Sequence, residues 1–175
     1  MSTFNVCLLQ SEIQNPKSKI FRTLFLALGN PILSDDAVGW EIADRLERIL
    51  PPGAADFMRE SGATLDLIPK LTGYDRLVIL DAIQLGQAPA GTLYRFTLDD
   101  FRSTVRHSSA HDLNFATAFD VGRRLGYAIP ADIRVYAIEV QELRRFAEGC
   151  TPAVASRLDA LAEEIRADIV SWGKT

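Results

Sequence analysis

The chain has 175 residues, of which 47% are hydrophobic and 24% charged, and its net charge at pH 7 is −4. This length and composition fit one globular domain and exclude general disorder. The acidic balance argues against nucleic-acid binding by counterion release. No apolar run reaches the roughly 18 residues that a membrane span needs, and the first twenty residues lack a signal-peptide pattern. We expect a cytoplasmic monomer that binds neither nucleic acid nor membranes.

The predicted elements begin after residues 1–20, which we interpret as a loosely attached N-terminal extension before a single domain at 21–175. The apolar run "TLFLALG" predicts a buried strand, and the spacing of Val38, Ile42, Leu46 and Ile49 predicts a helix. In chain order the patterns predict a strand at 23–29, a helix at 38–49, a strand at 55–59, a helical piece at 65–71, strands at 76–83 and 91–98, a helix at 111–125, a strand at 132–140 and a closing helix from 151 to about 169.

This alternation of strands and helices predicts the fold class. Parallel neighbours need crossover helices, so we expect an α/β fold: a three-layer α/β/α domain with a mostly parallel, twisted sheet of about five strands. The short step between Ile83 and Gly91 allows one antiparallel strand.

Three polar positions follow predicted strands and are candidates for a site. Asp35 and Asp36 lie in "LGNPILSDDAVG" after the first strand, Asp81 ends the run "LVILD", and His111 lies in "HSSAHDLNF". In an open α/β sheet, ligands bind in the crevice at the carboxyl ends of the strands. Carboxylates with an imidazole suit a divalent transition metal such as nickel, zinc, cobalt or iron.

Each candidate also has a structural interpretation. Asp35 or Ser34 could cap the helix, and Asp36 in its first turn suits the helix dipole. Asp81 could accept hydrogen bonds from a neighbouring loop. A glycine loop at a helix N-terminus can bind phosphate, but two carboxylates there would repel it, and neither GxGxxG nor GxxxxGK[ST] is present.

Two further features remain open at this stage. The cysteines, Cys7 and Cys150, show no metal-binding or disulfide spacing, and Cys150 fits a packing role better than a nucleophile. The pairs Arg123-Arg124 and Arg144-Arg145 fit solvated helix faces, with docking of an acidic partner as the alternative.

The motifs together resemble the hydrogenase maturation endopeptidase family. "LGNPILSDDAVG" is similar to its first signature, G-N-x-L-x-x-D-[DE]-x-x-G, and "LVILDAI" to its second strand, which ends in Asp-Ala. "SSAHDLNF" resembles its histidine segment, and "GCTPAV" its motif before the last helix. The four segments occur in the family's order and extend from about residue 22 to 169.

The resemblance implies an activity and a set of roles. Such endopeptidases remove a C-terminal extension from a nickel-loaded [NiFe] hydrogenase large-subunit precursor, which would be the partner, and the substrate would supply the nickel. The family's metal ligands fall on Asp36, Asp81 and His111. Either the metal polarises the scissile carbonyl or activates water, or nickel is a recognition tag while Asp36 or Asp35 acts as general acid or base.

Two other functions stay open on the sequence alone. One is a non-catalytic module that binds a nickel centre, and the other is a small-ligand hydrolase or nucleotide binder on the same fold. The chain also departs from the family pattern: 60–64 reads Glu-Ser-Gly-Ala-Thr in place of Asp/Glu-x-Gly-Thr, Ala137–Val140 lacks a frequent proline, and Ala37 stands where glycine is common.

Overall fold

The computed structural model describes residues 21–61, 65–105 and 112–172. They form five strands, a 3₁₀ turn and six helices, whose bounds are as follows: β1 Thr23–Leu28, the 3₁₀ turn Ser34–Ala37, α1 Val38–Ile49, β2 Asp56–Glu60, α2 Leu67–Lys70, β3 Arg76–Ile83, β4 Leu93–Thr97, α3 Leu98–Val105, α4 Asp112–Arg124, β5 Asp132–Glu139, α5 Pro152–Ala155 and α6 Leu158–Trp172. None of these helices is both long enough and apolar enough to span a bilayer.

The strands form one sheet in the order β2-β1-β3-β5-β4. All neighbouring pairs are parallel except β4 and β5, which are antiparallel. Helices cover both faces of the sheet, so the side chains on both sides of the central strands are buried. The central strands are therefore apolar almost throughout. The predicted mostly parallel sheet of five strands is confirmed.

A separate apolar core fills each side of the sheet, as a three-layer domain requires. On one face, Leu26 and Ile79 pack with Ile68, Phe101 and Phe119 of the helices α2, α3 and α4. On the other face, α1 and α6 pack on strands β1, β3 and β5, and the contributors include Phe25, Leu80, Ile42, Leu46, Leu161 and Ile165. Of the predicted α1 stripe, Val38, Ile42 and Leu46 are buried, whereas Ile49 is exposed at the last turn.

Three details of the secondary structure differ from the sequence patterns. A helix at Leu98–Val105 follows β4 directly, where none was predicted. The closing helix is interrupted at Ser156-Arg157 and forms the two segments α5 and α6. The antiparallel strand β4 pairs with β5, and not with β3, which precedes it in the chain. The predicted extension at 1–20 lies outside the described residues.

Candidate active site

The candidate site lies at the point where the order of strand addition in the sheet reverses. The chain runs from β1 to β2 on one side and then returns to β3 on the other side of β1. In open α/β sheets, the crevice at such a switch point is the usual ligand site. The 3₁₀ turn with Asp35 and Asp36 follows β1 and contacts β3, and Asp81 lies near the carboxyl end of β3. The fold thus brings the two acidic segments together at the carboxyl ends of the adjacent strands β1 and β3, as predicted.

In the described ranges, the buried polar side chains also lie at the carboxyl ends of the strands. These are Ser34, Asp35, Asp81 and Glu139, at the ends of β1, β3 and β5. Burying a carboxylate without partners is costly, so an edge that retains several of them must supply hydrogen-bond donors or a cation. The buried polar residues are thus concentrated at the carboxyl ends of the strands, whereas the rest of the sheet interior is apolar.

Two glycines set the close approach of the loop and helix to this edge. A Cβ at Gly39, in the first turn of α1, would lie 2.5 Å from the Leu28 carbonyl oxygen and 2.7 Å from that of Leu80. Gly29 has a φ of 134°, and a Cβ there would collide with the Asp36 carbonyl oxygen. Only glycine allows both backbones to pass so near the strand ends. These two positions therefore hold Asp36 close to β3.

The turn between β1 and α1 also contains backbone strain. Ser34 has a φ of 47°, the only positive value at a non-glycine residue in the parts of the chain that the structure describes. Its amide donates to the Ala147 carbonyl oxygen at 2.9 Å, and the Ala147 amide donates to the Ile32 carbonyl oxygen at 3.1 Å. Pairing with the loop at 141–150 thus holds the turn in a conformation that would otherwise cost about 1–3 kcal/mol.

Asp35 has a different structural role from the predicted helix cap. Neither the 3₁₀ turn nor α1 has a side-chain cap. The fully buried Asp35 carboxylate instead accepts hydrogen bonds from the backbone N–H groups of Gln141, Glu142 and Thr151, at 3.3, 3.2 and 2.6 Å. The Thr151 hydroxyl donates to it at 3.1 Å. The capping interpretation of Asp35 is therefore wrong, because the donors that the carboxylate satisfies belong to the loop after β5.

Asp36 and Asp81 present their carboxylates in different environments. Asp36 is half-buried, and its backbone amide donates to the Leu33 carbonyl oxygen at 3.0 Å. Asp81 is 8% exposed, and its Oδ1 accepts a hydrogen bond from the Ala82 amide at 2.9 Å. The structural interpretation expected a donor from a neighbouring loop, whereas the donor of this hydrogen bond is the next residue of the same strand. Asp36 is the more accessible of the two to a substrate.

The predicted ligand His111 lies outside the described residues. Within those residues, no group of three or more His, Cys, Asp and Glu side chains could hold a metal ion. The described part of the chain therefore contributes two carboxylates, Asp36 and Asp81, to the predicted set. Both are oxygen donors, which first-row divalent metals accept together with imidazole.

The buried acid Glu139 was not singled out from the sequence. Its Oε1 accepts hydrogen bonds from the amides of Leu85 and Gly86 at 3.0 and 2.8 Å, and its Oε2 from the Tyr94 hydroxyl at 3.0 Å. Burial, followed by the contact with Glu139, raises the pKa of Tyr94. Glu139 thus fixes the loop after β3, next to Asp81. A signal was present, since an acid ends the apolar run of β5 as Asp81 nearly ends that of β3.

Cys150 has the properties of a packing residue. It is half-buried and packs against the core under α1. Burial, and next the nearby carboxylates of Asp35 and Glu41, raise the pKa of its thiol to about 12. A thiol with this pKa is protonated at neutral pH and is a poor nucleophile. The prediction that Cys150 packs is in agreement with this environment.

The two arginine pairs lie in different structural contexts. Arg123 and Arg124 end α4, and Arg123 forms an ion pair with Asp120, so the helix-face interpretation is confirmed there. Arg144 and Arg145 lie instead in the exposed loop after β5, where the helix-face interpretation is wrong. The carboxylate of Glu142 accepts hydrogen bonds from both of their backbone amides, which fixes the turn.

The fold and the site define a three-layer α/β protein with an acidic site at the switch point of its sheet. Comparison with known proteins specifies the family. The family model described as hydrogenase maturation protease matches residues 41–168, a range that includes Asp81 and His111 and begins after Asp36. The chain belongs to the hydrogenase maturation protease family.

Individual relatives extend the match to the first loop of the domain. The chain is 26% identical over 154 residues to the hydrogenase 2 maturation protease of Escherichia coli K12, covering 87% of this chain and 93% of the relative. The solved hydrogenase maturating endopeptidase HybD from E. coli has a TM-score of 0.74 at 26% identity, covering 87% and 94% of the two chains. The [NiFe] hydrogenase maturation protease HybD from Thermococcus kodakarensis shares the fold, with a TM-score of 0.67 at 21% identity over 83% and 97%.

Family membership bears on the choice between the open functions. The protein is a peptidase of hydrogenase maturation, which favours the endopeptidase function over the two alternatives. The resemblance of its motifs to the endopeptidase signatures is thereby confirmed.

Proposed function

We propose that the protein cleaves the C-terminal extension from a [NiFe] hydrogenase large-subunit precursor that already carries nickel. The observation that carries this proposal is the convergence of Asp36 and Asp81 on the switch point of the sheet. Gly29 and Gly39 hold the two acidic segments close together there. Acidic side chains at a crevice are suited to bind a cation and to move protons in hydrolysis.

The nickel ligands in this proposal are Asp36, Asp81 and His111. The two carboxylates come from the ends of adjacent strands, and His111 directly precedes α4. A helix that leads into a parallel strand runs antiparallel to it, so α4 begins on the side of the carboxyl ends of the sheet. A set of two oxygen donors and one imidazole suits nickel and leaves coordination positions for the ligands of the precursor. The metal is part of the substrate.

Two hydrolytic routes use these residues. In the first, the metal polarises the scissile carbonyl or the attacking water. In the second, nickel serves as a recognition element and a carboxylate removes a proton from water, which attacks the carbonyl carbon. The same carboxyl group then returns the proton to the leaving amine.

The surroundings of the two adjacent acids favour Asp36 for this acid–base role. Asp36 is half-buried, whereas Asp35 is fully enclosed and its oxygens accept four hydrogen bonds from the loop and from Thr151. We assign Asp35 a positioning role, since a group enclosed in this way does not reach a substrate water.

The decisive experiment compares nickel-loaded and nickel-free precursor. Mass spectrometry should detect release of the C-terminal peptide from the loaded form only. Replacing Asp36 or Asp81 by Asn, or His111 by Ala, should abolish release, whereas His107→Ala should retain it as a matched control. Equal cleavage of loaded and nickel-free precursor would refute nickel gating, and full activity of His111→Ala would refute the ligand set.

A further inference from the structure

Beside the acidic site, the loop after β5 displays an apolar and cationic surface that the proposed chemistry does not use. We define the Arg–Phe patch as Ile32, Arg144, Arg145 and Phe146. Phe146 is 78% exposed and Ile32 is 51% exposed. The amide of Ala147, the residue after Phe146, donates to the Ile32 carbonyl oxygen at 3.1 Å. The two exposed apolar residues therefore lie on hydrogen-bonded neighbouring segments.

The exposure of Phe146 does not come from a weakly held loop. Asp35 binds the amides of Gln141 and Glu142 at the start of the loop and that of Thr151 at its end. Between these points, Leu143 and Cys150 pack against the core. The loop is thus fastened on both sides of Phe146. Single exposed apolar residues are common, but a fastened loop that holds one outward beside a candidate active site indicates a contact surface.

The cations of the patch also lack a direct ion pair. Neither Arg144 nor Arg145 forms an ion pair with a carboxylate of residues 21–61, 65–105 or 112–172. The backbone hydrogen bonds from Arg144 and Arg145, and then the charges of their guanidinium groups, lower the pKa of the Glu142 carboxyl group, although Glu142 forms no direct ion pair with either side chain. Arginine and aromatic side chains together are the residues enriched where binding energy concentrates in protein interfaces.

The position of the patch indicates which partner it meets. Leu33, three residues before Asp36, forms a parallel bridge with Ala147, the residue after Phe146. A polypeptide bound at the acidic site would therefore pass close to the patch. The chain as a whole is acidic, with a net charge of −4, so two exposed guanidinium groups without a direct ion pair at this rim favour a local acidic segment of the partner.

We infer that the Arg–Phe patch docks a segment of the precursor substrate that carries carboxylates and an apolar side chain. The inference rests on the proposed function, because it takes the occupant of the patch to be the substrate of the adjacent site. The patch contributes to binding and orientation, and Asp36 and Asp81 remain the groups at the scissile bond.

The test measures precursor binding and cleavage separately. In a binding titration with nickel-loaded precursor, the double variant Arg144→Glu/Arg145→Glu should raise Kd by about tenfold or more, since reversal turns attraction into repulsion. Phe146→Ala should raise it by about fivefold or more. In cleavage assays both variants should raise KM and leave kcat within about twofold, because neither changes the groups at the scissile bond.

Matched control substitutions lie at the C-terminal end of α4. This end of the helix leads into β5 and is therefore on the side of the amino-terminal ends of the parallel strands. Arg123→Glu/Arg124→Glu reverses a pair of exposed charges at the end of α4, and Leu125→Ala removes a side chain that is 70% exposed. Both should leave Kd and KM unchanged. Raising NaCl from about 50 to about 500 mM should weaken binding of the wild type far more than that of the Arg144→Glu/Arg145→Glu variant. Thermal unfolding should show that all variants are folded.

The outcomes separate the two proposals. If the wild type cleaves the precursor and the patch variants bind it equally well, the docking inference is overturned and the proposed function stands. If the wild type binds without cleaving and the patch variants lose binding, the docking inference is supported and the proposed function fails. If Phe146→Ala instead converts a self-associated wild type to monomers, the patch is an interface between copies of this chain and the inference is overturned.

Discussion

The Oδ1 atom of Asp35 lies 2.6 Å from the backbone nitrogen of Thr151, a residue 116 positions further along the chain. This contact joins the first loop of the domain to the start of the last helical segments. The other carboxylate oxygen accepts from Gln141 and Glu142 in the intervening loop. Asp35 thereby fixes the loop of the Arg–Phe patch to the turn that carries Asp36.

Replacing Asp35 by Asn should destabilise the protein and impair processing. An amide has one accepting oxygen, and its NH₂ group would face backbone N–H donors that then lose their acceptor. We expect the free energy of unfolding to fall by about 2 kcal/mol or more. Urea denaturation followed by circular dichroism measures this change. Limited proteolysis should in addition show faster cleavage within 141–150.

Thr151→Val is the control for Asp35. It removes the hydroxyl that donates to Asp35 at 3.1 Å and keeps the shorter backbone contact. We expect a loss of about 1 kcal/mol or less, which is typical of a single neutral donor. Equal stabilities of Asp35→Asn and wild type would contradict the role given to this carboxylate.

Replacing Gly39 by Ala should lower both stability and activity, although alanine is the better helix former by about 1 kcal/mol. The added Cβ would lie within 2.7 Å of the carbonyl oxygens of Leu28 and Leu80, which belong to the rigid sheet. α1 would have to move away from the strand ends, and this shift would increase the separation between Asp36 and Asp81. Gly53→Ala is the control, because nothing lies within 4 Å of its added Cβ. It should retain full kcat/KM for the precursor, with a stability cost from its positive φ alone.

Most of the fold could be predicted from the sequence, because strands that are buried on both faces have a recognisable sequence pattern. β1 and β3 are continuous apolar runs, and only strands between two helical layers need such runs. The helix at Leu98–Val105 was missed although a local signal was present: Asp99 and Asp100 lie in its first turn, and the Asp100 amide donates a hydrogen bond to the Thr97 hydroxyl. It is short and follows β4 with no intervening loop, so the strand pattern of β4 was extended to Leu98. The pairing of β4 with β5 was not predictable either, since it joins segments separated by α3 and α4.

The candidate site was predictable at its two strand ends and not in its supporting contacts. The rule for parallel sheets selects Asp36 and Asp81 from their positions after β1 and near the end of β3. The partners of Asp35 lie more than 100 residues away in sequence, so local patterns favoured a helix cap in its place. Glu139 had a local signal, its position at the end of β5, but its donors lie far away in sequence, in the loop after β3 and at Tyr94 of β4.

Cys150 should resist thiol reagents in the folded protein. Burial is the main cause that raises the pKa of its thiol to about 12, so almost no thiolate exists near pH 8. In a Cys7→Ser background, iodoacetamide should label Cys150 slowly in the native state and rapidly in urea. Cys150→Ala should retain kcat for the precursor. Rapid native labelling accompanied by loss of activity would indicate a nucleophile.

The same pKa shift predicts a pH dependence of stability. Above about pH 9 the unfolded chain loses the thiol proton while the folded protein keeps it, so rising pH favours the unfolded state. The contribution of this thiol is therefore fully present below pH 9 and is lost as the pH rises toward 12. The difference in unfolding free energy between the wild type and Cys150→Ala isolates this effect from the other titrating groups, and it should decrease across this range.

Glu139 should be essential for the order of the loop after β3. Glu139→Ala would leave the Leu85 and Gly86 amides and the Tyr94 hydroxyl without their buried acceptor, so we expect a loss of about 3 kcal/mol or more. Glu139→Gln keeps one accepting oxygen and should cost about 1 kcal/mol, as should Tyr94→Phe, which removes a single donor. Hydrogen exchange distinguishes the contacts: the Leu85 and Gly86 amides should exchange much faster in Glu139→Ala and at wild-type rates in Tyr94→Phe. Unchanged exchange in Glu139→Ala would mean that the loop is held by other contacts, and the support that Glu139 gives to the strand end bearing Asp81 would be disproved.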